Sequence, residues 1–189
     1  ATTAKRTYPD KTVCLIRKTK EAIIPCGIPY MFFSLKDPEE NRLGTQNLEK
    51  NGIEVVVDEA ISIDRANKVV ETKNGDRYKY EKLVLATGSH PVVPPIPGIE
   101  KKGIYPIYKE MNYLKSIVSE IKSKKNILIV GGGFIGVEFA DEISKIEGLN
   151  VYVVEILPKL LANSFDEEFS ALAEEKLRSK GVNILTNTK

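Results

Sequence analysis

The chain has 189 residues, with 28 Lys and Arg against 26 Asp and Glu, which leaves a formal net charge of +2. A charged share of 29% and a hydrophobic share of 42% exclude a disordered chain, since there is enough apolar material to offset chain entropy. The 13 Gly without a triplet repeat and the two Cys exclude collagen-like and disulfide-rich classes.

No apolar run reaches the roughly 18–20 residues of a membrane helix. A net charge so near zero gives no electrostatic case for nucleic acid or a membrane as partner. The N-terminus, Ala1 to Arg6, lacks the apolar core of a signal peptide. A reducing, cytoplasmic setting is the default expectation. The length allows one domain or two small ones.

In chain order, residues 1–8 read as the end of a helix, broken at Pro9-Asp10. Thr12–Ile16 reads as a short buried strand, with Cys14 alternating between Val13 and Leu15 as core packing. A loop follows in which Pro25, Gly27 and Pro29 surround Cys26. Asn47–Asn51 ends a helix, with Gly52 as its stop signal, and Ile53–Val57 is the next strand. Ala60–Tyr80 reads as an antiparallel meander, with Asn74-Gly75 placed for a type I′ turn. Leu83–Ala86 is a continuous apolar run, as expected of a strand buried on both faces. Residues 91–98 (PVVPPIPG) form a stiff extended linker, and a domain boundary is placed there.

Beyond the linker, strands and helices alternate. The expected elements are a helix at Met111–Ile121, a strand at Asn126–Val130, a helix at Val137–Ile146 and a strand at Val151–Val154. A helix at Asp166–Lys180, stopped by Gly181, and a strand at Val182–Leu185 complete the series. Short connections between them imply parallel pairing through crossover helices.

Three segments carry chemistry. The first is Gly131-Gly132-Gly133-Phe134-Ile135-Gly136, a G-x-G-x-x-G run that leaves a strand and opens a helix. Glu155 ends the following strand, 19 residues past Gly136. That context is what a dinucleotide fingerprint requires. Gly131 serves the tight turn, Gly133 the close approach of a pyrophosphate, and Gly136 the packing of helix on strand. Free amides at the positive helix end hold the diphosphate. The Glu155 carboxylate can accept from both ribose hydroxyls and would repel a 2′-phosphate, so NADH is expected over NADPH. Glu138, in the first helical turn, needs no more than its interaction with the helix dipole to account for it.

The second segment, Leu83-Val84-Leu85-Ala86-Thr87-Gly88, lets the chain turn close to a ligand or another backbone. The third is Pro25-Cys26-Gly27-Ile28-Pro29-Tyr30. A helix starting near Pro29 would favour a thiolate at Cys26, although a free Cys also occurs as a small buried hydrophobe. Met31 occupies the place of a second cysteine in C-x4-C, so no resolving thiol lies nearby. His90, without ligand-spaced partners, reads as an ordinary loop residue, and Lys122–Lys125 as a solvated helix end.

Taken in this order, PCGIPY (25–30), YEKLVLATGSHPVVPPIPG (80–98) and GGGFIGVEFADE (131–142) with Val154-Glu155 resemble the flavoprotein pyridine nucleotide-disulfide oxidoreductases. The lone Cys26 is similar to the single-cysteine branch, which includes coenzyme A disulfide reductase and NADH oxidase or peroxidase. The resemblance implies an α/β, Rossmann-like FAD/NAD(P)-binding three-layer fold with a small antiparallel β-meander. It implies a partial FAD-binding domain over 1–98, lacking its first strand and Gly-rich loop. An NAD(H)-binding domain, incomplete at its C-terminus, would cover 99–189. The chain would thus be an interior piece of a longer protein, inactive alone and holding flavin poorly.

By the same resemblance, NADH reduces FAD and the flavin passes electrons to catalytic Cys26. The final acceptor would be a small molecule: coenzyme A disulfide, oxygen, peroxide or polysulfide. Glu138 stands where relatives approach the nicotinamide, and Ala86, Thr87 and Gly88 where they approach FAD. The full-length protein would be a cytoplasmic homodimer with no nucleic-acid or membrane partner and no metal. Arg17-Lys18 stands where many relatives carry an acidic residue for the FAD ribose. Two other readings compete. One is an NADH-dependent reductase of a small iron carrier such as rubredoxin, with Cys26 inert. The other is a nucleotide-binding module without catalysis.

Overall fold

The computed structural model describes residues 1–189, which divide into two compact units. One comprises residues 1–22 and 42–92; the other comprises residues 23–41 and 93–189.

In chain order the elements begin with α1 (Thr2–Thr7), β1 (Val13–Arg17) and β2 (Ala22–Ile23). Tight 3-10 turns at Pro25–Gly27, Pro29–Phe32 and Pro38–Asn41 precede β3 (Arg42–Leu43) and α2 (Gln46–Lys50). Then come β4 (Ile53–Val57), β5 (Ala60–Asp64), β6 (Val69–Thr72) and β7 (Arg77–Lys79). The remainder is α3 (Met111–Ile121), β8 (Asn126–Val130), α4 (Phe134–Ile143), β9 (Asn150–Val154), α5 (Glu167–Ser179) and β10 (Asn183–Leu185).

In the first unit, β1 and β4 pair in parallel, Val13 opposite Ile53 and Arg17 opposite Val57. Gly52, at φ 69°, takes the left-handed conformation that ends α2 and releases the chain into β4. The strands β5, β6 and β7 form the expected antiparallel meander, in which Val69, Val70 and Thr72 of the central strand β6 are buried.

Two local expectations fail here. The Asn74-Gly75 turn is not type I′, because only Gly75 has positive φ, at 92°. Gly75 N–H instead donates to Thr72 O at 2.9 Å, and Thr72 N–H to Asp76 O at 3.0 Å. This is a type I turn closed by a left-handed glycine, the usual form of a slightly longer hairpin loop. Nor is Leu83–Ala86 a buried strand. It pairs with nothing, and Val84 is 84% exposed. A strand buried on both faces needs ladder partners on each side, and none adjoins it here.

The second unit follows the sequence closely. Its sheet runs β10–β9–β8, all parallel, with α4 and α5 in the connections. Helix α3 begins where the Glu110 carboxylate accepts from Asn112 N–H at 3.0 Å and Tyr113 N–H at 2.7 Å. Asp166 caps α5 through Phe169 N–H at 3.1 Å. Such caps contribute about 1 kcal/mol each. Helix α4 starts at Phe134, three residues before the expected Val137, so Gly136 lies inside it.

The core gathers Leu114, Ile117 and Val118 of α3, Phe139 and Ala140 of α4, and Val151 and Val153 of β9. Each of these side chains other than Ala140, fully buried, contributes about 1.5–3 kcal/mol. Met31 and Phe32, from the segment that follows Cys26, belong to the same core.

Candidate functional site

The glycine loop is built by three separate demands on space. Gly131 has φ 106°, open only to glycine without strain, and its N–H extends the parallel ladder to Val154 O at 2.8 Å. A Cβ on Gly136 would sit 1.9 Å from Gly131 O, so the helix can close on the loop only with glycine there. A Cβ on Gly132 would meet Leu160 Cδ2 at 2.3 Å. Gly133 differs: a Cβ there would touch nothing within 4 Å, because it faces open space at the mouth of α4.

The first helical amides have no intrahelical acceptor. Val137 N–H, bonded to Gly133 O at 3.0 Å, begins the ladder. The N–H groups from Gly133 to Gly136 therefore lie at the positive end of the helix, where an anion is stabilised.

Glu155 follows β9 and reaches back into this loop. Its Oε2 accepts from Gly132 N–H at 2.6 Å and its Oε1 from Leu157 N–H at 2.8 Å. Charge-assisted bonds of this kind lock the carboxylate at the loop edge. Each oxygen keeps a lone pair for a sugar hydroxyl. A second carboxylate, Glu174 on α5, accepts from Leu160 N–H at 3.0 Å, and Leu161 N–H donates to Gly132 O at 2.8 Å. The stretch after β9 is thus tied to the glycine loop from both sides.

Phe134 and Ile135 are exposed beside the loop, and Phe134 meets the ring of Phe165 edge-on at 5.6 Å. Glu138 is exposed one turn further on. It lines a cleft of about 320 Å³ with Tyr30, Val137, Asp141 and Lys176.

Cys26 sits exposed in the Pro25–Gly27 turn. The expected helix at Pro29 is a short 3-10 turn. Although Cys26 lies 105 residues before Gly131 in sequence, this segment is in the same unit as the glycine loop. Phe32 packs edge-on against Phe139 of α4 at 4.9 Å, and Ser34 N–H donates to Glu142 Oε2 at 3.0 Å. Ala86, Thr87 and Gly88 are exposed and outside regular structure in the other unit, Gly88 at φ 73°. His90 is exposed in the same stretch.

Cys14 corrects the sequence reading. It is exposed rather than packed, because its face of β1 pairs with the exposed Glu54 across the ladder. Partial desolvation pushes its thiol up, and the Glu54 charge adds to that.

Glu142 and Asn41 escaped the sequence reading, and both are almost fully buried. Glu142 had left a trace, since it falls three residues after Phe139 on the apolar stripe of α4 and three before its ion partner Lys145. Asn41 had left none, because its role depends on contacts closed by the turn.

A parallel strand–glycine loop–helix–strand, with a carboxylate just past the second strand returned to the loop, is the arrangement of the Rossmann-like fold. The chain belongs to the pyridine nucleotide-disulphide oxidoreductase family, whose model matches residues 1–189. It is 35% identical, over 82% of its length, to the nitrite reductase (NADH) large subunit of Escherichia coli K12, covering 18% of that protein. It is 31% identical, over 97% of its length, to the NAD(P)H coenzyme A polysulfide/persulfide reductase of Pyrococcus horikoshii, covering 42% of it. The water-forming NADH oxidase from Lactobacillus brevis, solved bound to NADH, superposes with a TM-score of 0.85 at 26% identity. That match covers 97% of this chain and 42% of the oxidase. The chain thus spans less than half of the proteins it resembles. No helix is long and apolar enough to cross a membrane.

Proposed function

We propose that the chain is the nucleotide- and thiol-bearing part of an FAD-dependent oxidoreductase that takes electrons from NADH and delivers them through Cys26 to a small acceptor. The observation that carries this reading is the pair of hydrogen bonds that set the Glu155 carboxylate beside free helix-end amides, with Gly133 leaving the space above them open. Residues 131–136 would hold the diphosphate of NADH, and Glu155 its adenosine ribose. Phe134, Ile135 and Glu138 flank the path toward the nicotinamide end. The negative charge of Glu155 disfavours a 2′-phosphate, so NADPH is the poorer donor. Residues 99–189 form the NAD(H)-binding part.

Residues 1–98 contribute to the FAD-binding part through Ala86, Thr87 and Gly88, where the hydroxyl and the open space over Gly88 suit a closely approaching ligand. FAD, when bound, supplies acceptance of a hydride and delivery of its electrons to sulfur. Cys26 is exposed and its turn leaves the sulfur accessible, so its thiolate can attack a disulfide, peroxide or polysulfide. Polysulfide or a coenzyme A persulfide as acceptor draws support from the Pyrococcus relative, and oxygen from the Lactobacillus oxidase. A free cysteine that is kept reduced between turnovers fits a cytoplasmic setting, and the complete protein is proposed to be a homodimer.

The test is Cys26→Ser in the complete protein, with turnover measured on each acceptor. Loss of turnover with nicotinamide binding intact is expected. Unchanged turnover would instead favour delivery to a small iron protein such as rubredoxin. A colourless purified protein that binds NADH would favour a nucleotide-binding module.

A further inference from the structure

The turn carrying Cys26 is held by one buried side chain. Asn41 is 3% exposed, and an apolar residue would occupy such a site at lower desolvation cost. Its backbone O accepts from Ile24 N–H at 3.1 Å, and its Nδ2 donates to Ile24 O at 3.1 Å. Ile24 is therefore gripped through both of its backbone groups, two residues before the cysteine. The same Nδ2 lies 3.2 Å from Met31 Sδ, beyond the turn. Ile24 O also accepts from Gly27 N–H at 2.9 Å, which closes the turn around Cys26.

Because Nδ2 serves that carbonyl, the Asn41 Oδ1 faces Gly27, where a Cβ would fall 1.9 Å from it. Gly27 does not have positive φ, so its glycine answers to space rather than to backbone strain. The space is the volume filled by the Asn41 amide. Asn41 thus contacts the residue two before Cys26, the residue after it and Met31.

We infer that Asn41 is the positioning residue of Cys26: its amide fixes the Pro25–Gly27 turn and so the place from which the thiol acts. The inference deepens the reading of Cys26 as the redox thiol and rests on it for its functional meaning. A thiol that takes electrons on one side and meets an acceptor on the other must hold its place to within about half an ångström. A single cysteine in a turn of three residues has no helix or strand to give it that precision. The buried amide supplies it, which explains an asparagine at a buried position against Met31.

The test uses the 189-residue chain with Cys14→Ser, so that a nitroxide label attaches only at Cys26. A control label is placed at Ser116→Cys on α3, in a form lacking both native cysteines. Asn41→Ala should narrow the spin-resonance line of the Cys26 label, while the Ser116 label and NADH binding stay as they were. Asn41→Asp, which keeps Oδ1 but loses the donor to Ile24 O, should narrow it too. In melting experiments, Gly27→Ala should lower Tm by several degrees beside Asn41, and by a small fraction of that beside Asn41→Ala, where the obstructing oxygen is gone.

Equal narrowing at both labels would mean general loosening and overturn the inference. So would an unchanged Cys26 line in both Asn41 variants, or an equal cost of Gly27→Ala in both backgrounds. None of these readouts needs catalysis. If Cys26→Ser keeps turnover in the complete protein while the label behaves as expected, the redox reading fails and the positioning role stands.

Discussion

Single residues of the glycine loop divide into those the fold needs and those kept free for a ligand. Gly136 is of the first kind, because its missing Cβ would strike a backbone carbonyl that has nowhere to move. Gly136→Ala is expected to lower stability by more than 2 kcal/mol, as overpacking against backbone does, and to be read directly in a urea titration. Gly133 is of the second kind: its φ of −75° suits any residue and the space around it is open. Gly133→Ala should cost under about 1 kcal/mol, the loss of a tolerable helix cap, yet abolish calorimetric binding of NADH. Normal NADH binding to Gly133→Ala would place the diphosphate elsewhere. Glu155→Ala removes a charged acceptor worth about 1.5–3 kcal/mol to a sugar hydroxyl, so NADH affinity should fall about 10- to 100-fold. NADPH affinity should fall less, because the repulsive charge goes too. A wild-type preference for NADPH would contradict the assignment of Glu155.

At the scale of elements, α4 is joined on one side to the segment bearing Cys26 and on the other to α5. Asp141 pairs with Lys180 beyond α5 and with Lys145. Burial alone would push the Asp141 carboxyl up, but the two lysines outweigh it and hold the carboxyl below its usual range. A carboxylate lowered in the folded state stabilises it above the unfolded pKa of about 3.9, and that contribution is lost as pH falls through the folded value. The Glu142 and Asp141 charges beside Lys145 push its ammonium up, Glu142 foremost. Its contribution is complete below the unfolded pKa of about 10.4 and is lost as pH rises through the raised value. Unfolding midpoints should thus fall on both sides, below about pH 4 and above about pH 10.4. Lys145→Met should flatten the alkaline limb; a limb as steep as before would show that Lys145 does not cause it. These ties explain what the sequence could and could not disclose. Helices α3 and α5 and strands β8 to β10 were legible because periodicity, caps and Gly181 are local signals. The glycine loop and Glu155 were legible because the fingerprint has fixed spacing. The start of α4 was misplaced because the loop glycines conceal a helix that already begins at Phe134. Asn41 acts on Ile24 and Met31 through contacts that no local pattern encodes, and of Glu142 only the pairing with Lys145 is local, not the bond from Ser34 N–H.

For the whole molecule, the apolar stretch between the meander and α3 is decisive. Leu83–Ala86 reads as a buried strand by composition, yet Leu83, Val84 and Leu85 are 38%, 84% and 67% exposed and their backbone joins no ladder. Val92, a few residues on, is 91% exposed. A short run with high β-propensity, no charge and free backbone donors is a template for pairing with another chain. The net charge of +2 offers little repulsion to oppose such pairing. The 189-residue chain is therefore expected to associate as its concentration rises, with light scattering growing faster than concentration and a hydrophobic dye binding in proportion. Val84→Lys with Leu85→Lys should suppress both signals without lowering Tm, since neither side chain belongs to a core or a ladder. Association that persists in the double variant would locate the sticky surface elsewhere, with the exposed Leu128 and Val130 of β8 as the next place to substitute.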